Sequence, residues 1–264
     1  MTKESCCKTD KETLDPKNIW KVLTLLLFSL SAFLLFFDVD ISSRFQGETA
    51  QVTVADEQEV VVVSEEEILP GEGVDLLVDW GSLGLQMIEA GVIDKEELEL
   101  IYAARGGLND DQISLLYGED NGSLKIDSNN AGFILNLFWA LGLSNQNSVL
   151  DEGTMQDYDD QGSFASTGGW SLSIGDSMDH YSEHSFIELS SEQESLVEDV
   201  AKGIYRPCCN NSTYFPDCNH GMAMLGFLEL LASQGASEEE MYEQALQVNA
   251  YWFPSQYLNN AQYF

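Results

Sequence analysis

Positive charge is scarce in this chain: 11 Lys and Arg stand against 45 Asp and Glu in 264 residues, a formal net charge of −34. A surface so acidic repels phosphate backbones, which proteins bind by neutralising them with Lys and Arg, so nucleic acid is excluded as a partner. The excess acid itself reads as a solvated face that keeps the protein soluble. Histidine is scarce at three, and cysteine and proline stop at five each. Five cysteines in a chain of this length cannot make a disulfide-dense scaffold, and there is no paired Cys-x-x-Cys of zinc-ribbon type and no Cys-x-x-Cys-His for covalent haem.

The few basic residues are unevenly spread. Lys3, Lys8, Lys11, Lys17 and Lys21 precede a run from Val22 to Phe37 that holds no charge, proline or glycine. Residues 19–37 are long enough to cross a bilayer as one helix, and the lysines place residues 1–18 in the cytoplasm as a short tail. The run exceeds a usual signal-peptide core, so a retained single-pass anchor in the cell membrane is expected, with everything after it extracytoplasmic. Cys6 and Cys7 stand apart on the cytoplasmic side. Residues 38–74 read as an acidic stalk, because Gln51 to Pro70 is dominated by Glu, Asp and Val and holds none of the aromatics a core needs, and folded structure is expected from near Val74.

Beyond the stalk the pattern predicts a mainly α protein. Residues 75–143 form a helical subdomain: Leu83, Met87 and Ala90 repeat at helical spacing, Asp94 opens a second helix, Asn109 a third, and Asn130 caps an almost wholly apolar one through Leu141. A short strand is expected over 123–127. Residues 144–189, rich in Ser, Asn, Gly and Asp, read as a long irregular connection over the surface. Residues 190–264 read as a three-helix bundle, with capping boxes at Ser191/Glu194 and Ser237/Glu240 and a loop after Pro207.

The chemistry concentrates in one window. Cys208, Cys209 and Cys218 share the bundle's loop, and His220 opens the next helix; His180 and His184 lie within 41 residues of it. Soft sulfur with imidazole suits copper or zinc, which makes Cys208, Cys209, Cys218 and His220 the candidate ligands, with His180, His184 and the thioether of Met222 as lesser candidates. The alternative is thiol–disulfide chemistry by the same three cysteines, for which an oxidising compartment and a spare thiol suffice. A structural disulfide closing the loop is a third reading. His180-Tyr181-Ser182-Glu183-His184 also matches the His-x-x-Glu-His signature of one metallopeptidase class, though polar, Gly- and Ser-rich flanks replace the apolar flanks of a buried catalytic helix. Whether the chain is an enzyme, and which protein partner it meets, stays open.

Arg206-Pro207-Cys208-Cys209-Asn210-Asn211, followed by Asp217-Cys218, Ala223, Leu230, Gly235, Ser237, Glu239, Glu240 and Met241, resembles the CcmH-type thiol-reductase module of cytochrome c maturation. The likeness covers about residues 190–250, with vicinal cysteines in place of the family's Cys-x-x-Cys. It implies a three-helix bundle whose redox cysteines occupy the first interhelical loop. As a whole the chain resembles single-anchor bacterial surface proteins with no assigned activity.

Overall fold

The computed structural model describes residues 64–261. The expected tail, the membrane helix over 19–37, most of the stalk, and Cys6 and Cys7 lie outside the described residues. Among the described residues no helix is long and apolar enough to cross a membrane.

The described residues are already ordered into an element ten residues before Val74. Ser64 and Glu67 form a reciprocal capping box that opens a one-turn helix, α1 (Glu65–Ile68), and the Tyr251 hydroxyl donates to the Pro70 carbonyl at 2.8 Å, tying this turn to the body. The acidic composition hid a complete Ser-x-x-Glu signal. Next comes an element the sequence reading missed, the strand β1 (Val74–Gly81), whose Leu76, Val78 and Trp80 are buried while Asp75, Leu77 and Asp79 face out. The alternation is masked in the sequence because Leu76 and Leu77 are adjacent apolar residues of which only the first is inside. β1 pairs antiparallel with β2 (Asn121–Ile126), with an irregularity between Asp75 and Asp79. Between the strands lie α2 (Leu83–Glu89), α3 (Lys95–Ala103) and α4 (Asp110–Tyr117), each at its expected position.

The free edge of β1 is occupied by side chains. Leu77 N–H donates to Gln244 Oε1, while Asp79 N–H donates to Gln234 Oε1 and its carbonyl accepts from Gln234 Nε2, all at 2.8 Å.

The core is built around two apolar helices, α5 (Ala131–Ser144) and α8 (Asn219–Ser233). The remaining long helices are α7 (Ser191–Gly203) and α9 (Glu238–Trp252); α10 (Pro254–Ala261) closes the described chain. The three helices expected to form a bundle do pack on one another, but among the described residues the most extensive helix pairing is α5 on α8. The regions separated in the sequence as 75–143 and 190–264 therefore share one continuous core, a four-helix arrangement with the small sheet on its flank. At the crossing, a Cβ on Gly142 would sit 2.1 Å from the Met222 carbonyl, and one on Gly226 would sit 2.5 Å from the Phe138 carbonyl, so the backbones touch where only hydrogen fits. One turn away, Phe138 and Phe227 stack with centroids 4.8 Å apart.

The connection over 144–189 is irregular, as expected, but it does not simply run over the surface. It holds a short helix, α6 (Ser148–Glu152), and three 3-10 turns. It is stitched inward by Trp170, which is buried, donates to the Val92 carbonyl at 2.9 Å and packs edge-on against Trp139. Asn145 and Asn147, at the α5–α6 corner, each donate to one oxygen of the fully buried Glu229 at 2.7 Å. Burial pushes that carboxyl well above its ordinary value.

The glycine contact yields a stability test. Gly142→Ala or Gly226→Ala forces the α5–α8 backbones apart, an overpacking cost of about 1–3 kcal/mol. Urea denaturation monitored by circular dichroism should show a lower midpoint with an unchanged slope, whereas alanine at Gly132, a helical position with no atom near its would-be Cβ, should hold or raise the midpoint.

Candidate metal and thiol site

The loop between α7 and α8 is folded around one arginine. Ile204 ends α7, and the chain then turns tightly: Asn210 N–H donates to the Arg206 carbonyl at 2.8 Å and Arg206 N–H to the Asn211 carbonyl at 3.1 Å. Asn210 takes φ 58°, a left-handed conformation that asparagine tolerates better than most residues. Cys208 and Cys209 are exposed at the tip of this turn. The Arg206 side chain folds back inside, where it is fully buried. Its Nε donates to the Asn211 carbonyl, its Nη2 to the carbonyls of Ser212 and Phe215 and to Asp217 Oδ1 at 2.9 Å, and its Nη1 to Cys218 Sγ at 3.3 Å. Asp217 also accepts from the Asn211 side chain at 2.8 Å. A guanidinium can be buried here because nearly every donor has an acceptor and a carboxylate balances its charge. Space comes from Gly221, whose would-be Cβ would lie 1.6 Å from Arg206 Nη1.

Cys218 is the N-cap residue of α8, so the helix brings its sulfur to the loop tip. The three sulfurs form a triangle with sides of 3.6 Å (Cys208–Cys209), 3.7 Å (Cys208–Cys218) and 4.0 Å (Cys209–Cys218). Among the described residues this is the one group of three or more His, Cys, Asp or Glu ligand atoms close enough together to hold a metal ion. Cys218 is half-buried and the other two are open to solvent. Burial pushes the Cys218 thiol above its ordinary range, opposed by the Arg206 guanidinium and the Gly221 amide. Burial, and then the crowding of Cys218 and Cys209, push Cys208 up to about 12. Three sulfurs this close resist carrying several negative charges unless a cation sits among them.

The histidines go elsewhere. His220 lies two residues after Cys218 at the start of α8, and side chains two apart on a helix diverge by about 200°. Its ring packs on Phe253 with centroids 4.5 Å apart and edge-on to Trp252, outside the sulfur group. Burial, then the nearby Arg206 charge, lower its pKa to about 4, which keeps the imidazole neutral. His180 and His184 face each other. His180 Nε2 meets the Ile174 carbonyl at 3.1 Å and so donates, which leaves its Nδ1 to accept from His184 Nε2 at 3.0 Å. They do not lie on one helical turn: a 3-10 turn ends at Asp179, Ser182 takes φ 56°, and His184 forms an isolated bridge with Asn145. The helix needed for His-x-x-Glu-His zinc chemistry is absent at this segment. Met222 is fully buried in the core, on the turn of α8 that meets Gly142.

The chain matches no protein-family model, no curated protein and no solved structure.

Arg206 and Gly221 are the residues of this site that ligand spacing alone did not reveal. The signal for the first was its rarity: one of six Lys and Arg after Phe37, it stands two residues before Cys208.

The His220 environment sets a pH dependence. Its folded pKa, about 4, lies below the unfolded 6.5, so between these values the unfolded chain binds the extra proton. Its contribution to stability is complete above pH 6.5 and declines as pH falls, by up to about 1.4 kcal/mol per unit. Denaturation midpoints measured from pH 7 to pH 5 should fall more steeply for the native chain than for His220→Gln.

Proposed function

We propose that Cys208, Cys209 and Cys218 bind a thiophilic transition-metal ion, zinc or copper, in a protein tethered to the cell membrane by residues 19–37 with its folded part outside. The observation that supports this reading is the size of the sulfur triangle. With a metal–sulfur distance of about 2.3 Å, the edge of a tetrahedral site is about 3.8 Å and that of a trigonal one about 4.0 Å. The separations of 3.6, 3.7 and 4.0 Å bracket the tetrahedral value. An ion there would replace the mutual repulsion of the three sulfurs with attraction to a shared positive charge, and the Arg206 guanidinium beside Cys218 would balance the excess thiolate charge.

Three protein sulfurs leave a fourth position open on the solvent side, where Cys208 and Cys209 are exposed. That arrangement suits a site that acquires and passes on its ion more than a closed structural one. Thiol–disulfide chemistry at the same cysteines is the second reading, favoured by the 3.7 Å approach of Cys208 to Cys218.

Metal analysis of the reduced, purified chain tests the assignment. Stoichiometric zinc or copper is expected in the native protein and its loss in Cys218→Ser, while His220→Gln and Met222→Leu retain it. A native chain that stays metal-free after incubation with either ion and dialysis would refute the proposal.

A further inference from the structure

The same triangle holds a second chemistry, because the sulfurs that fit around an ion also stand close enough to one another to be oxidised together. We infer that Cys218 and Cys208 form a hydroperoxide-reactive pair that closes into a disulfide, dismantling the metal site. The disulfide stands on the sulfur geometry alone; the release of an ion rests on the metal reading above.

Three observations select this pair. The Cys208–Cys209 separation is the shortest at 3.6 Å, but adjacent residues joined by a trans peptide hold their Cα atoms about 3.8 Å apart, below the roughly 4.4 Å at which disulfides begin. A bridge between them would strain the peptide that links them. Of the two pairings that remain, Cys208–Cys218 is closer at 3.7 Å than Cys209–Cys218 at 4.0 Å. Finally, Arg206 Nη1 donates to Cys218 Sγ at 3.3 Å, so a fixed positive charge faces this sulfur and not the two at the loop tip. That charge singles out Cys218 as the sulfur that attacks, opposing the burial that holds its thiol up, and it stabilises the anion expelled as the peroxide bond breaks.

The reaction balances with the hydroperoxide as the only oxidant. Cys218 gives its thiol proton to water and attacks, as the thiolate, the hydrogen-bearing oxygen of R–O–O–H; the O–O bond breaks, an S–O bond forms, and the leaving alkoxide or hydroxide takes that proton back from water. Cys218 is then a sulfenic acid. The Cys208 thiol attacks its sulfur, the S–O bond breaks, and hydroxide leaves with the thiol proton as water. Two sulfurs have each lost one electron, and the peroxide has gained two. A disulfide offers no thiolate, so Cys209 alone would remain as a sulfur ligand and the ion would be lost. Thiol reduction restores the triad.

Treating the reduced, zinc-loaded full-length chain with hydrogen peroxide tests this, with freed zinc read by a chromophoric chelator and the linkage by mass spectrometry. Digestion before aspartate cuts at Asp217 and so separates Cys208 and Cys209 from Cys218. Expected are a Cys208–Cys218 cross-linked peptide and zinc release that dithiothreitol reverses; Cys209→Ser keeps the cross-link and Cys208→Ser loses it. Arg206→Lys, which keeps the charge, should react faster than Arg206→Gln. If Gln fails to fold, the cysteine variants still decide the matter, since their side chains lie at the exposed loop tip. A Cys208–Cys209 or Cys209–Cys218 linkage, or a zinc-loaded chain that keeps its ion and its thiols, overturns the inference and leaves the metal reading standing. A chain that never takes up zinc yet forms the Cys208–Cys218 bond overturns the metal reading and upholds the pair.

Discussion

Helix α8 lies at the centre of the protein because Gly142 and Gly226 let its backbone rest directly on α5. Everything else is arranged around that contact. The aromatic stack of Phe138 on Phe227 fills the next turn, α7 and α9 pack along the free sides, and the sheet and the stitched connection cover what is left. Since α8 is buried almost throughout, its position is fixed to within the tolerance of a packed interior. Its first residues, and with them Cys218, inherit that rigidity.

The loop that faces Cys218 is held by different means. Phe215 packs its far end against Tyr158 and Phe164, and a buried guanidinium gathers the rest, binding three carbonyls, a carboxylate and a sulfur at once. Arg206 is thus the joint between a rigid helix end and an exposed turn, in a chain that uses basic residues sparingly. The cysteines at the tip are fixed from one side only, which suits ligands that must close around an ion or move toward one another.

Much of this could be read from the residues in order. Helix boundaries were legible where a cap was unambiguous: Ser237 with Glu240 and Asn109 with Gln112 close reciprocal boxes in the structure. At α7 the sequence offers two overlapping boxes, and the one formed is Ser190 with Gln193, a residue before Ser191 with Glu194. Only packing of Val197, Val200 and Ala201 against the core chooses between them. β1 escaped notice because Leu77, an apolar residue pointing outward, breaks the alternation. The sulfur group was legible as a candidate because its members are close in sequence, but ten extended residues can span about 33 Å, and it is the loop folded around Arg206 that brings the ends together. The histidines were not, because proximity along the chain carries no direction: a helix turns His220 toward Phe253, and a non-helical segment turns His180 and His184 toward each other.

The glutamines on the rim of β1 have an effect beyond this molecule. A two-stranded sheet ordinarily leaves a row of amides and carbonyls able to accept a third strand from a neighbour. Here Gln234 and Gln244, projecting from the bundle, satisfy Leu77 and Asp79 from within the same chain. A neighbouring strand brought against that border would meet amides already paired, so β1 is closed to augmentation at Leu77 and Asp79.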